Sequence, residues 1–259
     1  MSIAIMQPYV FPYIGYFQLI YATDIFVFYD DVNFITRGWI NRNRILVNGT
    51  DQLFTIPCKE ASQNKLIKDV DVNDDPKSIQ KLLATIQMAY AKAPYFNEVY
   101  PVIENTLMAE NEISVSYDNA TSAFPSLTYP VQRLQRDTSI SRLAINSIIN
   151  ICDYLGLNKV FKISSEQYDN RELKKADRLI DICHIEKTSH YINPSGGKEI
   201  YTKEYFKASG IDIDFLVPQR VEYAQFKNAF VPWLSIIDVL MFNSKREIND
   251  KILPAFNLE

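Results

Sequence analysis

The chain has 259 residues, enough to bury a core that needs no disulfide or metal staple, and 47% of them are apolar against 22% charged, which excludes a disordered chain. With 27 Lys plus Arg against 31 Asp plus Glu, the net charge of −4 argues against a general binder of nucleic acid or of an anionic membrane. Only 7 glycines are present, and neither G-x-G-x-x-G nor G-x-x-x-x-G-K-[ST] occurs, which excludes a dinucleotide fingerprint and a P-loop.

The apolar run Ile3 to Met6 predicts a short buried strand. Gln7 to Pro12 carries two prolines, which lack a donor N–H and push their predecessors to extended backbone, so a loop follows. Tyr13 to Ala22 predicts a helix, and the aromatic, β-branched Ile25 to Tyr29 a second buried strand closed by Asp30-Asp31. Trp39 to Val47 and Gln52 to Pro57 flank Asn48-Gly49, a strong hairpin signal. Helical periodicity marks Ser78 to Ala91 and Phe96 to Met108, and residues 111–138 are expected to be an irregular loop or cap. Residues 76–138 thus read as a helical insertion in one α/β domain spanning 1–259. Ser141 to Leu155 is the clearest amphipathic helix, with Gly156 as its C-terminal cap. A strand over Lys159 to Ile163, a helix over Glu172 to Cys183, a loop over Tyr191 to Gly197, a strand over Ile211 to Val217 and a helix over Trp233 to Phe242 complete the chain.

Strands alternating with helices predict a mostly parallel, Rossmann-like sheet with an added hairpin. Ligands of such sheets bind outside the carboxyl ends of the strands, so the loops at Gln7 to Tyr13, Asp30 to Arg37 and Ser164 to Tyr168 are expected to converge. The strand–turn–helix around Pro12 to Val27 resembles the HIGH-type nucleotidyltransferase superfamily, with Tyr13 and Tyr16 where that superfamily has histidines. The plainer alternative is that Gly15 merely lets the helix approach the strand.

Asp30 and Asp31 could hold an amine or a magnesium ion, or divide acid and base roles; otherwise they end a strand and cap the next turn. In a strand Arg42 and Arg44 share one face, suited to a phosphate, with Trp39, Asn41 and Asn43 on the other; a solvated edge with ion pairs is the alternative. Gly196-Gly197 permits an anion-binding nest, and His190 beside it could act as a base or simply fill space. Three scattered cysteines without C-x-x-C, and two histidines, do not make a structural zinc site. They fit a reducing compartment. The N-terminal stretch lacks a basic signal-peptide start, and no apolar run reaches membrane-span length, so a cytoplasmic protein without membrane insertion is expected.

Several segments together resemble the WbqC-like family: Met6 to Ile20, Tyr29 to Phe34 with Gly38 to Ile45, Tyr90 to Phe96, Ser164-Ser165, Tyr191 to Tyr201, Tyr223-Ala-Gln and Leu234 to Asn243. The resemblance implies a bacterial protein of surface-polysaccharide, typically O-antigen, biosynthesis. In such pathways the amino groups of nucleotide-linked amino-dideoxy sugars are acylated. The leading expectation is therefore an N-acyl- or aminoacyltransferase whose donor is an acyl thioester of coenzyme A or of a carrier protein. Asp31, Asp30 or His190 would be the base. Arg42 and Arg44 would bind pyrophosphate, and Gln7, Tyr9, Tyr13, Tyr16, Asn41, Ser164, Ser165, Tyr191, Asn193, Gly196 and Gly197 would line the substrate. A nucleotidyltransferase-like enzyme and a non-catalytic nucleotide-sugar-binding subunit are the competing readings.

Overall fold

The computed structural model describes residues 1–259 except 74, 109–136 and 228. The expected cap at 111–138 therefore lies almost wholly outside the described residues.

The elements run β1 (Ser2–Met6), α1 (Ile14–Ala22), β2 (Ile25–Phe28), β3 (Arg42–Val47), β4 (Thr50–Thr55), α2 (Pro76–Tyr90), α3 (Phe96–Met108), α4 (Ile140–Leu155), β5 (Val160–Ile163), α5 (Ser164–Gln167), α6 (Ala176–Ile185), β6 (His190–Pro194), α7 (Lys203–Ala208), β7 (Asp212–Pro218), α8 (Ile236–Phe242), α9 (Lys245–Glu247) and β8 (Phe256–Leu258). The described strands form a six-stranded sheet ordered β5-β2-β1-β6-β7-β8, parallel throughout except for β8 at one edge, and a separate β3–β4 hairpin.

Side chains alternate across a strand, and the core follows that rule. Ala4, Phe26, Phe28, Ile192 and Leu216 face one way, against α1, α4 and α8. Ile3, Ile5, Ile25, Val27, Tyr191 and Phe215 face the other, against Leu179 and Ile182 of α6 and Phe206 of α7. Covering both faces is what a parallel sheet requires.

The predicted β1–α1–β2 unit is present, with Ile3 level with Ile25 in parallel register. Asn48 (φ 51°) and Gly49 (φ 81°) make the two-residue hairpin turn, and Gly156 (φ 75°) caps α4. The expected first hairpin strand is shorter than the sequence suggested. Arg37 turns the chain at φ 61°, the Arg42 N–H donates to the Trp39 carbonyl at 3.1 Å, and the strand begins only at Arg42. Trp39 is thus outside the strand, and its ring lies against the Arg44 guanidinium, 5.7 Å from the ring centre, rather than on the opposite face.

The stretch from Tyr191, expected as a loop, is instead β6, paired between β1 and β7; only Ser195–Glu199 turns away, as a 3-10 helix. Helix α6 starts at Ala176, not Glu172, because Lys175, at φ 53°, interrupts the helical backbone just before it.

Candidate functional site at the carboxyl ends of β2 and β5

The alternation that builds the core also separates the two aspartates. Asp30 turns toward the α4 side, sharing a cavity with Arg142 and Ile145, whereas Asp31 turns toward α6 and its Arg178. Both are buried. They are therefore not a facing carboxylate pair.

Asp30 is held by Ser165: the backbone N–H donates to Oδ1 at 2.9 Å and the hydroxyl to Oδ2 at 2.6 Å. Burial raises its pKa above the usual carboxylate range; the Ser165 hydrogen bonds oppose that rise and the neighbouring Asp31 charge adds to it. Asp31 accepts from Arg178 Nη2 at 2.6 Å in an ion pair whose side chains are 0% and 4% exposed. Arg178 is fixed in turn by Asn170 Oδ1 at 2.9 Å, by Ser164 Oγ at 3.2 Å, and by the Tyr29 ring 4.7 Å away. Asn170 also donates to Asp181 at 2.7 Å.

Two adjoining cavities open here. One, of about 210 Å³, is lined by Asp30, Asp69, Asp137 and Glu166 with Lys68, Arg142 and Ser141. The other, of about 390 Å³, is lined by Asp31, Asp169, Arg171, Gln167 and Tyr168, and both include Lys68, Ser165 and Glu166. Arg142 is neutralised by Asp137 at 3.0 Å and Glu166 at 2.8 Å, so the first cavity is acidic overall. Among the described residues four buried side-chain atoms lack a hydrogen-bond partner, and two of them, Asp31 Oδ1 and Ser141 Oγ, belong to these cavities. A larger cavity of about 470 Å³ lies by Asp24, Lys159 and Val160, at the amino ends of the same strands. That is the wrong edge for a ligand of a parallel sheet, and none of those four buried atoms belongs to its lining.

The other predicted residues divide between this edge and elsewhere. Ser164 and Ser165 directly follow β5, at the same edge as Asp30 and Asp31. Gln7 directly follows β1, and its carbonyl accepts from the buried Tyr16 hydroxyl at 3.2 Å. The Tyr9 hydroxyl accepts from the Tyr13 N–H at 3.3 Å, and the Tyr9 and Tyr16 rings meet edge to face at 5.3 Å. Burial raises the phenol pKa of Tyr9, Tyr13 and Tyr16. Tyr13 folds its ring over Gly15 and meets Trp233, while the Ile236 N–H donates to the Pro12 carbonyl at 2.7 Å. The start of α1 is thus covered by protein where a nucleotidyltransferase would hold phosphates.

Arg42 Nε donates to the Gly38 carbonyl at 2.6 Å, Arg44 pairs with Asp51 at 3.1 Å, and Asn41 donates to the Ile56 carbonyl at 2.8 Å. None of the three lines either cavity. Tyr191 is buried, stacked on Phe206 at 5.6 Å. Asn193 is buried over Gly197, and neither Gly196 nor Gly197 adopts the positive φ of an alternating nest. His190 begins β6, level with Ser2 at the amino edge, and its Nε2 lies 2.9 Å from Asp214. It is on the opposite edge of the sheet from Asp30, so the two cannot act on one substrate atom.

Sequence reasoning missed Arg178, Asn170, Lys68 and Arg142. It also missed Asp238, which accepts from Tyr90, Tyr223 and Gln225 at 2.9, 2.8 and 2.6 Å and ties α2, α8 and the segment before it together.

No solved structure matches the chain. An uncharacterized protein, Rv1507c of Mycobacterium tuberculosis, is 25% identical over 253 residues, covering 96% of each chain. The sequence pattern of the WbqC-like protein family matches residues 7–250, nearly the whole chain, and the chain belongs to that family.

Proposed function

We propose that the protein is an N-acyl- or aminoacyltransferase of bacterial surface-glycan biosynthesis, acting on the amino group of a nucleotide-linked amino-dideoxy sugar. The observation that carries the reading is the acidic cavity with the buried, pKa-raised Asp30 in its wall. A sugar ammonium is drawn to a cavity lined by four acids and two bases, one of those bases already neutralised. It must lose a proton before it can attack, and a carboxylate whose pKa is moved toward neutrality suits that task. The amine nitrogen then attacks the acyl carbonyl of a thioester. The C–N bond forms and the C–S bond breaks; Asp30 has taken the proton the ammonium lost before attack, and the second N–H proton, shed as the amide forms, goes to the leaving thiolate, which departs as the thiol. Lys68 and the exposed Arg171, which line the second cavity, would take the substrate's phosphates in preference to Arg42 and Arg44.

The test is incubation with a nucleoside-diphosphate amino-dideoxy sugar and an acyl-coenzyme A, followed by mass spectrometry of the sugar. An N-acylated product supports the proposal. Binding without product would favour a non-catalytic nucleotide-sugar-binding subunit. Pyrophosphate release from a nucleoside triphosphate and a sugar phosphate would favour nucleotidyl transfer.

A further inference from the structure

Helix α2 presents an outward face that local energetics does not favour. Lys77, Lys81, Ala84 and Met88 recur at helical spacing, so they share one side of the helix, and all of them are exposed. Lys92 extends the same stripe just past the helix end. The opposite side, with Leu82, Leu83, Ile86 and Tyr90, is buried in the core. None of residues 76–97 is acidic, although acids outnumber bases in the whole chain, 31 to 27. Lys77 and Lys81 are like charges one turn apart, which weakens a helix, and Lys77 stands in the first turn, where the helix dipole favours an anion. The Asp75 cap, accepting from the Lys77 N–H at 3.1 Å, offsets part of this. Among the described residues no ion pair involves Lys77, Lys81 or Lys92. Met88, between Lys81 and Lys92, is 70% exposed.

We infer that this face of α2 is a docking surface for a small acidic carrier protein that bears the acyl thioester. The inference rests on the reading of the neighbouring cleft as an acyl-transfer site. An apolar contact flanked by cations is complementary to an acidic surface: Met88 supplies buried area, and the lysines steer the encounter and fix its register. The face also lies near the cleft. Lys68 and Asp69 line the first cavity, Asp71 and Val72 are tied to Ser139 and Thr138 beside Asp137 of the same cavity, and α2 begins at Pro76. Even a fully extended chain from Asp69 to Pro76 spans at most about 25 Å, so the start of α2 lies within that distance of the cavity wall. A carrier seated there is placed to deliver a thioester on a flexible arm, a task for which free coenzyme A needs no protein-sized surface. An anionic membrane fits less well, because insertion requires a broad apolar face and this one offers a single large apolar side chain.

The test titrates the protein into a fluorescently labelled bacterial acyl carrier protein in its thiol-bearing form, read by anisotropy at low and at high salt. Binding is expected at low salt and should weaken about tenfold or more at high salt. Lys77→Glu should weaken it about threefold or more, and Lys77→Glu combined with Lys81→Glu and Met88→Ala about 30-fold or more. Lys77→Glu alone should at the same time raise the urea midpoint, because an acid at that position suits the helix dipole and pairs with Lys81. Weaker binding then accompanies greater stability, a combination that misfolding cannot produce. No carrier binding at low salt, or carrier binding unaffected by the triple substitution, would overturn the inference. So would a triple variant that loses self-association or binding to phosphatidylglycerol vesicles while the wild type ignores the carrier. Acyl transfer from acyl-coenzyme A without carrier binding would overturn the docking surface and leave the transferase reading standing. Carrier binding lost in the variants, with no acyl transfer from either donor, would remove the transferase reading and leave the docking surface standing.

Discussion

Replacing Arg178 with methionine tests whether the Asp31 ion pair is a structural keystone of the cleft. Methionine keeps much of the side-chain volume, so the change isolates the charge and its hydrogen bonds. Asp31 Oδ1 already lacks a donor, and the substitution strips the 2.6 Å donor from Oδ2 as well. Asn170 Oδ1 loses its 2.9 Å donor in the same step. Breaking one side of a buried pair typically costs about 3–5 kcal/mol, and this pair is as buried as such pairs become. At roughly 2–4 °C per kcal/mol for a chain of this size, Tm should fall by about 6–20 °C. Urea unfolding followed by circular dichroism gives the free energy directly. The double variant Asp31→Leu with Arg178→Met removes both charges and should recover most of the loss. The exposed pair Arg246–Asp250 serves as a control, and Arg246→Ala should leave the urea midpoint unchanged. A loss below about 1 kcal/mol in Arg178→Met, or a double variant no more stable than the single, would refute the reasoning.

Three further outcomes are expected. Gly15→Ala would normally favour a helix, but a Cβ there collides with the Tyr13 ring; the urea midpoint should drop by the equivalent of about 1–3 kcal/mol, and the same change made in a Tyr13→Ala background should cost little or nothing further. Tyr90→Phe removes a buried hydroxyl that accepts from the Leu46 N–H at 2.8 Å and donates to Asp238 at 2.9 Å, so about 2 kcal/mol or more should be lost, measured in the same way. The third concerns pH. Asp30 has a folded-state pKa raised above its unfolded value, so the folded state holds its proton more tightly, and stability from this group falls as pH rises from the unfolded carboxylate range through the raised value. The stability of Asp30→Asn relative to wild type should therefore increase with pH across that window and be flat above it; a flat difference throughout would contradict the burial argument.

Local chemistry made much of this fold legible. Asn48-Gly49 tolerates positive φ at both positions and read as a tight turn, and Gly156 after an amphipathic run read as a cap; both have positive φ in the structure. The apolar Ile3–Met6 and Ile25–Tyr29 announced buried parallel strands, and that placed Asp30, Asp31, Ser164 and Ser165 at one edge. β6 was missed because its hydrophobic stretch is short and runs into Pro194-Ser-Gly-Gly, whose turn chemistry dominates the window. That error carried His190 toward the site, although the parallel register sets it at the other end of the sheet. Arg178 was invisible for another reason. Its partner Asp31 lies 147 residues away, and an arginine on an amphipathic helix reads as solvated until the tertiary structure shows what it meets. The separation of Asp30 from Asp31 across the sheet follows from simple alternation. Reading two adjacent carboxylates as a pair overlooked it.

The most direct measurement is the pH dependence of single-turnover acyl transfer to a nucleotide-linked amino-dideoxy sugar, compared between wild type and Asp30→Asn. If Asp30 takes the amine's proton, the wild-type rate falls at low pH as Asp30 is protonated, over a range above that of an ordinary carboxylate. Asp30→Asn should lose about 10²–10⁴ in rate and with it that acidic limb, keeping only the titration of the substrate amine. An Asp30→Asn protein that transfers the acyl group at the wild-type rate with the same acidic limb would contradict the account.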